Sequence, residues 1–138
     1  MTHDVSLSSR SLLRISLIEH RKTFFLGRAQ KLLCPLCGKQ LFNQMEMHEA
    51  LISRGAVSGH PLQDRIMSRY NCVLLCSACH RNIIGLGGDV TFEKLARHLV
   101  EFEGYSHIRN WLFTMTDVFP TVGKQALTRF DGLKLENS

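Results

Sequence analysis

Two cysteine pairs, Cys34-Pro35-Leu36-Cys37-Gly38 and Cys76-Ser77-Ala78-Cys79-His80, constrain what this chain can fold into. Each C-x-x-C turn presents two sulfurs to one ion, so Cys34, Cys37, Cys76 and Cys79 together meet the tetrahedral demand of a structural zinc. Between the pairs lie 38 residues, more than in common short zinc ribbons, and they carry Met47-His48-Glu49 and Tyr70-Asn71.

Disulfides and a redox motif compete with metal, and the compartment decides between them. The chain has 5 Cys in 138 residues, and its start, Met1-Thr2-His3-Asp4, lacks the basic and apolar regions of a secretory signal. A cytoplasmic, reducing setting is therefore expected, where thiols stay free and metal is favoured. The odd cysteine, Cys72, falls in the apolar run Cys72-Val73-Leu74-Leu75 and reads as a small buried residue. The length suits one domain, and 44% hydrophobic content is enough for a packed interior. No apolar run approaches the roughly 18 residues that span a bilayer, so no membrane partner is expected.

Charge is uneven. Residues 1–83 carry 11 Lys and Arg against 5 Asp and Glu, whereas residues 84–138 carry 6 against 7. The basic half is the half with the cysteine motif, which points to a polyanionic partner there.

Ser8 and Ser9 are capping residues for helical structure from about residue 10 to 31, as one long helix or two short ones. On it, Arg10, Arg14, Arg21 and Arg28 form one basic stripe, suited to tracking phosphates or to lying in solvent. Gln40-Leu41-Phe42 and Met45-Glu46-Met47 read as a hairpin around Asn43-Gln44. Residues 53–69, rich in Gly, Ser and Arg, read as a long functional loop with a short helix at 62–68. A strand is expected at 71–75, then a helix from Ser77 to Ile84 ended by Gly85, Gly87 and Gly88. Two further helices follow at about 92–103 and 106–115, divided by Gly104.

Taken together, Cys34-x-x-Cys37, Met45-Glu46-Met47-His48-Glu49-Ala50-Leu51 and Tyr70-Asn71-Cys72-Val73-Leu74-Leu75-Cys76-Ser77-Ala78-Cys79-His80 resemble the HNH endonuclease family in its zinc-containing form. The family pattern is C-x-x-C, an apolar strand ending in Asp-His or His-His, then Asn-Leu-x-x-Leu-Cys-x-x-Cys-His. The resemblance covers residues 34–84 and implies a small ββα-metal (HNH) core there, with a structural zinc on the four paired cysteines; with the N-terminal helical extension read at 1–33 and the C-terminal one at 85–138, which it does not explain, the expected fold is α+β in one compact domain. Carried over by position, His48 and His80 become ligands of a catalytic divalent cation such as Mg2+ or Mn2+. Asn71 orients the strand and the base, and Glu49 stands where the family has its general-base histidine.

That departure changes the expected chemistry. A carboxylate near its ordinary pKa of about 4.3 accepts a proton less readily at neutral pH than an imidazole at about 6.5. Glu49 then serves either as a base of raised pKa or as a third ligand to an ion that itself acidifies water. A register shifted by one would make Met47 the ligand, and a thioether suits Mg2+ poorly.

The activity implied is hydrolysis of DNA phosphodiester bonds, by nicking or double-strand cleavage, in a chain of bacterial, phage or mobile-element type. Double-stranded DNA is the expected partner. Arg54, Arg65 and Arg69 on the loop, Arg81 beside the motif, and Arg14, Arg21 and Arg28 of the stripe are candidate phosphate contacts, which give affinity without sequence choice. Little aromatic interleaving accompanies them beyond Tyr70, so a stacking platform for single strands is not expected. The alternative, prompted by Glu49 and the near-neutral C-terminal helices, is a non-catalytic zinc module that binds nucleic acid or, through those helices, a protein. His20, His60, His98 and His107 match no motif and read as surface or core residues.

Overall fold

The computed structural model describes residues 8–25, 28–42, 44–83 and 88–137, with 23–25 and 28–30 described by their backbone alone. Helix α1, Ser9–His20, begins at Ser8, whose Oγ accepts the Ser11 amide at 3.1 Å. It is shorter than the sequence predicts. Thr23-Phe24-Phe25 sets a β-branched residue before two aromatics, a composition that favours pleated backbone. Strand β1, Thr23–Phe25, accordingly pairs antiparallel with β2, Arg28–Lys31. The predicted basic stripe is broken there: Arg28 belongs to β2, and Arg21 turns inward, 1% exposed.

A second sheet holds the centre. β3, Met45–Glu49, pairs antiparallel with β4, Cys72–Cys76, running from Met45 opposite Cys76 to Glu49 opposite Cys72. The hairpin expected between 40–42 and 45–47 is not what forms. Gln40 bridges back to Leu33, and Asn43 of the expected turn lies outside the described residues. β4 is the stronger partner for β3 because all five of its residues are buried. The connecting loop holds two short 3-10 turns, Gly55–Val57 and Gln63–Ile66, the second inside the span predicted as a short helix.

Helix α2, Ser77–Arg81, follows β4 directly. It stops short of Ile84, which with Gly85 and Gly87 lies outside the described residues, and Gly88 opens the next helix rather than closing this one. α3 (Gly88–Glu103), α4 (Tyr105–Val118) and α5 (Pro120–Asp131) complete the chain. The sequence pattern gives no sign of α5 because its buried side is Gly123, Ala126 and Phe130, a weak apolar signal. At Gly123 the helices approach so closely that a Cβ would stand 2.5 Å from the Met115 carbonyl oxygen of α4.

The fold is thus α+β, with one apolar cluster running from Leu17 through β3 and β4 to Leu135. A buried ion network ties the halves together. The Arg21 guanidinium donates to the carbonyls of Cys72 and Arg69 and to Glu103 at 3.3 Å, and Glu103 also accepts Arg69 Nε at 2.6 Å. Burial lowers the Arg21 pKa and Glu103 counters it; an arginine stays charged regardless.

Candidate metal centre and its histidine pair

The sulfurs of Cys34, Cys37, Cys76 and Cys79 lie within 4.8 Å of one another, and those of Cys37 and Cys76 are 3.8 Å apart. A zinc bound by four thiolates at about 2.3 Å has sulfur–sulfur edges of about 3.8 Å, so the cluster can hold that ion. The first knuckle closes through the Gly38 amide, which donates to the Cys34 carbonyl at 2.8 Å. Gly38 sits at φ +75, where a side chain would be strained. The second is built by helix initiation: Cys76 caps α2, its sulfur accepting the Cys79 amide at 3.4 Å.

That amide brings the Cys76 thiol down to about 7, toward the thiolate a metal requires. Burial, reinforced by the neighbouring Cys76, pushes the Cys79 thiol up. Four thiolates so close repel one another, and a cation removes the conflict. All five cysteines are free of disulfides, and Cys72 is a buried core residue whose thiol burial pushes up to about 12.

Strand alternation sorts the residues of β3. Glu46 and His48 share one face, and Met45, Met47 and Glu49 share the other. α2 delivers His80 to the first of these faces, where its ring meets His48 edge-on at 5.4 Å between centroids. His80 Nδ1 donates to Glu46 Oε2 at 3.1 Å, which fixes the ring and leaves Nε2 to face a proton or an ion. Burial, then the neighbouring His80, lowers the His48 pKa, so its imidazole is neutral at pH 7.

Asn71 works behind this face. Fully buried, its Oδ1 accepts the amides of Leu51 at 2.8 Å and Ile52 at 2.9 Å, and its Nδ2 donates to the carbonyls of Ile52 and Ile66. The side chain therefore clamps the backbone leaving β3 to the loop that returns to β4. Glu49 does not join the imidazoles. Its carboxylate, 11% exposed, lies on the other face and accepts from Arg10 at 3.3 Å and Arg54 at 3.5 Å. It acts on His48 only through space. The carboxylate beside His80 is Glu46, and its spacing of two from His48 on a strand is the signal that identifies it.

The candidate phosphate contacts divide. Arg65 and Arg81 are exposed, without an ion pair among the described residues. Arg54 bridges Glu49 and Asp64, Arg69 donates to Glu103 and His20, and Arg14 donates to the Met45 carbonyl. Arg21 is corrected outright, since a guanidinium sealed in the core cannot reach a phosphate, and the Arg28 side chain lies outside the described residues. The other histidines sit elsewhere: His20 beside Arg69, His60 against Phe119, His98 against Phe102, and His107 on the Glu103 carbonyl.

Among the described residues no helix is long and apolar enough to cross a membrane. No protein family model, curated protein or solved structure matches this chain.

Proposed function

We propose that the chain is a metal-dependent endonuclease of HNH type that hydrolyses phosphodiester bonds in double-stranded DNA. The observation that supports this best is the meeting of His48 and His80, 32 residues apart in sequence, on a strand–strand–helix unit whose ends converge on four cysteines. Imidazole nitrogens beside a carboxylate suit Mn2+ or Zn2+ better than Mg2+. Besides the cysteines, no three His, Cys, Asp or Glu side chains converge tightly among the described residues, so His48 and His80 would hold an ion whose remaining positions would be open to water and DNA. Such an ion supplies positive charge to the phosphate and acidity to water.

The chain's own residues do the rest. Glu46 holds the His80 ring, Asn71 fixes the loop behind His48, and Arg65 and Arg81 stand exposed for neighbouring phosphates. Zinc-loaded protein is expected to nick supercoiled plasmid in Mn2+, and His48→Ala and His80→Ala to lose on the order of a hundredfold or more in rate. Plasmid left intact by the parent in Mg2+, Mn2+ and Ni2+ alike would overturn the reading.

One observation favours a second reading, a zinc module without catalysis. Glu49 occupies the general-base position of the HNH pattern yet is neutralised by Arg10 and Arg54. That module binds DNA equally well with His80→Ala and cuts nothing.

A further inference from the structure

Beside the cysteine cluster, a groove of about 460 Å³ opens between residues 39–42 with Gln44 on one side and α2 on the other. Its size falls within the roughly 300–1,000 Å³ of small-molecule sites. Lys39 and Arg81 line it together with Gln40, Gln44 and Ser77, and the Phe42 ring stands in it 68% exposed. Among the described residues that line it there is no Asp or Glu, and neither cation has an ion-pair partner among the described residues.

We propose that this groove takes an unpaired nucleotide of DNA, its base stacked on Phe42 and its flanking phosphates on Lys39 and Arg81. The proposal rests on the reading of DNA as partner and adds a subsite to it. An exposed aromatic ring sharing one groove with two cations that lack ion-pair partners matches a base and its phosphates, and stacking tolerates any base because every base has a π-face. Amide and hydroxyl groups of Gln40, Gln44 and Ser77 offer both donors and acceptors to the base edge. A paired base inside a duplex cannot present its face, so the occupant is a single-stranded end or a displaced base. The sequence pattern disfavours stacking because it shows little aromatic interleaving beyond Tyr70, and it places Phe42 in a hairpin strand. With β3 paired to β4 instead, the ring is left at the surface.

The test compares binding of a blunt DNA duplex with binding of the same duplex carrying a short single-stranded tail. It uses the zinc-loaded full chain, fluorescence anisotropy and no added divalent cation, so that nothing is cut. The parent is expected to bind the tailed DNA about tenfold or more tightly. Phe42→Ala should erase that preference while leaving affinity for the blunt duplex, and Phe42→Trp should keep it. Lys39→Gln should lower the salt slope for the tailed DNA by about one. Equal affinity of the parent for both DNAs, a preference that survives Phe42→Ala, or no binding to either DNA overturns the proposal. Cleavage is read separately: a chain that nicks plasmid but shows no preference loses only the groove, and one that shows the preference but never nicks loses only the nuclease reading.

Discussion

The described residues of 31–83 and those of 88–137 are ordered by different physics. In the first region β3, β4 and α2 are 5 residues each, joined by a long loop, whereas α3, α4 and α5 run for 16, 14 and 12 residues. Long helices satisfy their own backbone and need only an apolar face. Short strands and a helix of little more than one turn do not, and the first region leans on point fasteners instead: the cysteine cluster, the Asn71 clamp and, from outside it, Arg21, which ties the Cys72 and Arg69 carbonyls to Glu103. Those fasteners also place His48 and His80 side by side. The helical region contributes no residue to that pair and serves as its buttress.

The largest effect should come from the metal. Stripping zinc with a chelator is expected to remove on the order of 10 kcal/mol of binding free energy from the first region. Hydrogen exchange would then show the β4 amides losing protection while those of α4 and α5 largely keep theirs. Equal loss in both regions would break the contrast.

Next comes the fastener shared by both regions. Glu103→Ala leaves Arg21 buried without its counter-charge and should cost about 3–5 kcal/mol in urea unfolding. Glu93→Ala, which removes an exposed pair with Arg97 on the same helix, should cost less than about 0.5 kcal/mol.

A smaller effect belongs to helix packing alone. Gly123→Ala places a methyl against the Met115 carbonyl, and despite alanine's better helix propensity it should destabilise by about 1–3 kcal/mol. Plasmid nicking at a temperature where the variant is folded should not change.

A pH effect belongs to α3. Burial, then the charge of Arg21, lowers the His98 pKa to about 4, against an unfolded value near 6.5. The unfolded chain therefore binds more protons between these values. The His98 contribution to stability is complete above about pH 6.5 and is lost as pH falls toward about 4. Urea midpoints measured across that window should slope less in His98→Gln than in the parent.

Sequence reasoning reached the parts of this molecule that local chemistry determines. The four cysteines, the Ser8 cap, β4 and the helices on either side of Gly104 all follow from residue types at short spacing. Long-range choices stayed hidden. Nothing near Met45 says that β3 pairs with a strand that begins at Cys72 rather than with Gln40-Leu41-Phe42. Arg21 looked like one more basic residue because its partner Glu103 lies 82 positions away. Glu49 drew attention through its place in a motif, but β-alternation turns it from the imidazoles and brings Glu46 to them.

The central claim is that the cysteines hold one ion structurally while His48 and His80 hold a second, working ion. Titrating zinc-loaded protein with Mn2+ and following the free ion by electron paramagnetic resonance tests it most directly. The account predicts a single exchangeable Mn2+ on the parent and none on His48→Ala, with zinc content the same in both. A parent that takes up no Mn2+, or a His48→Ala protein that takes up as much as the parent, would contradict it.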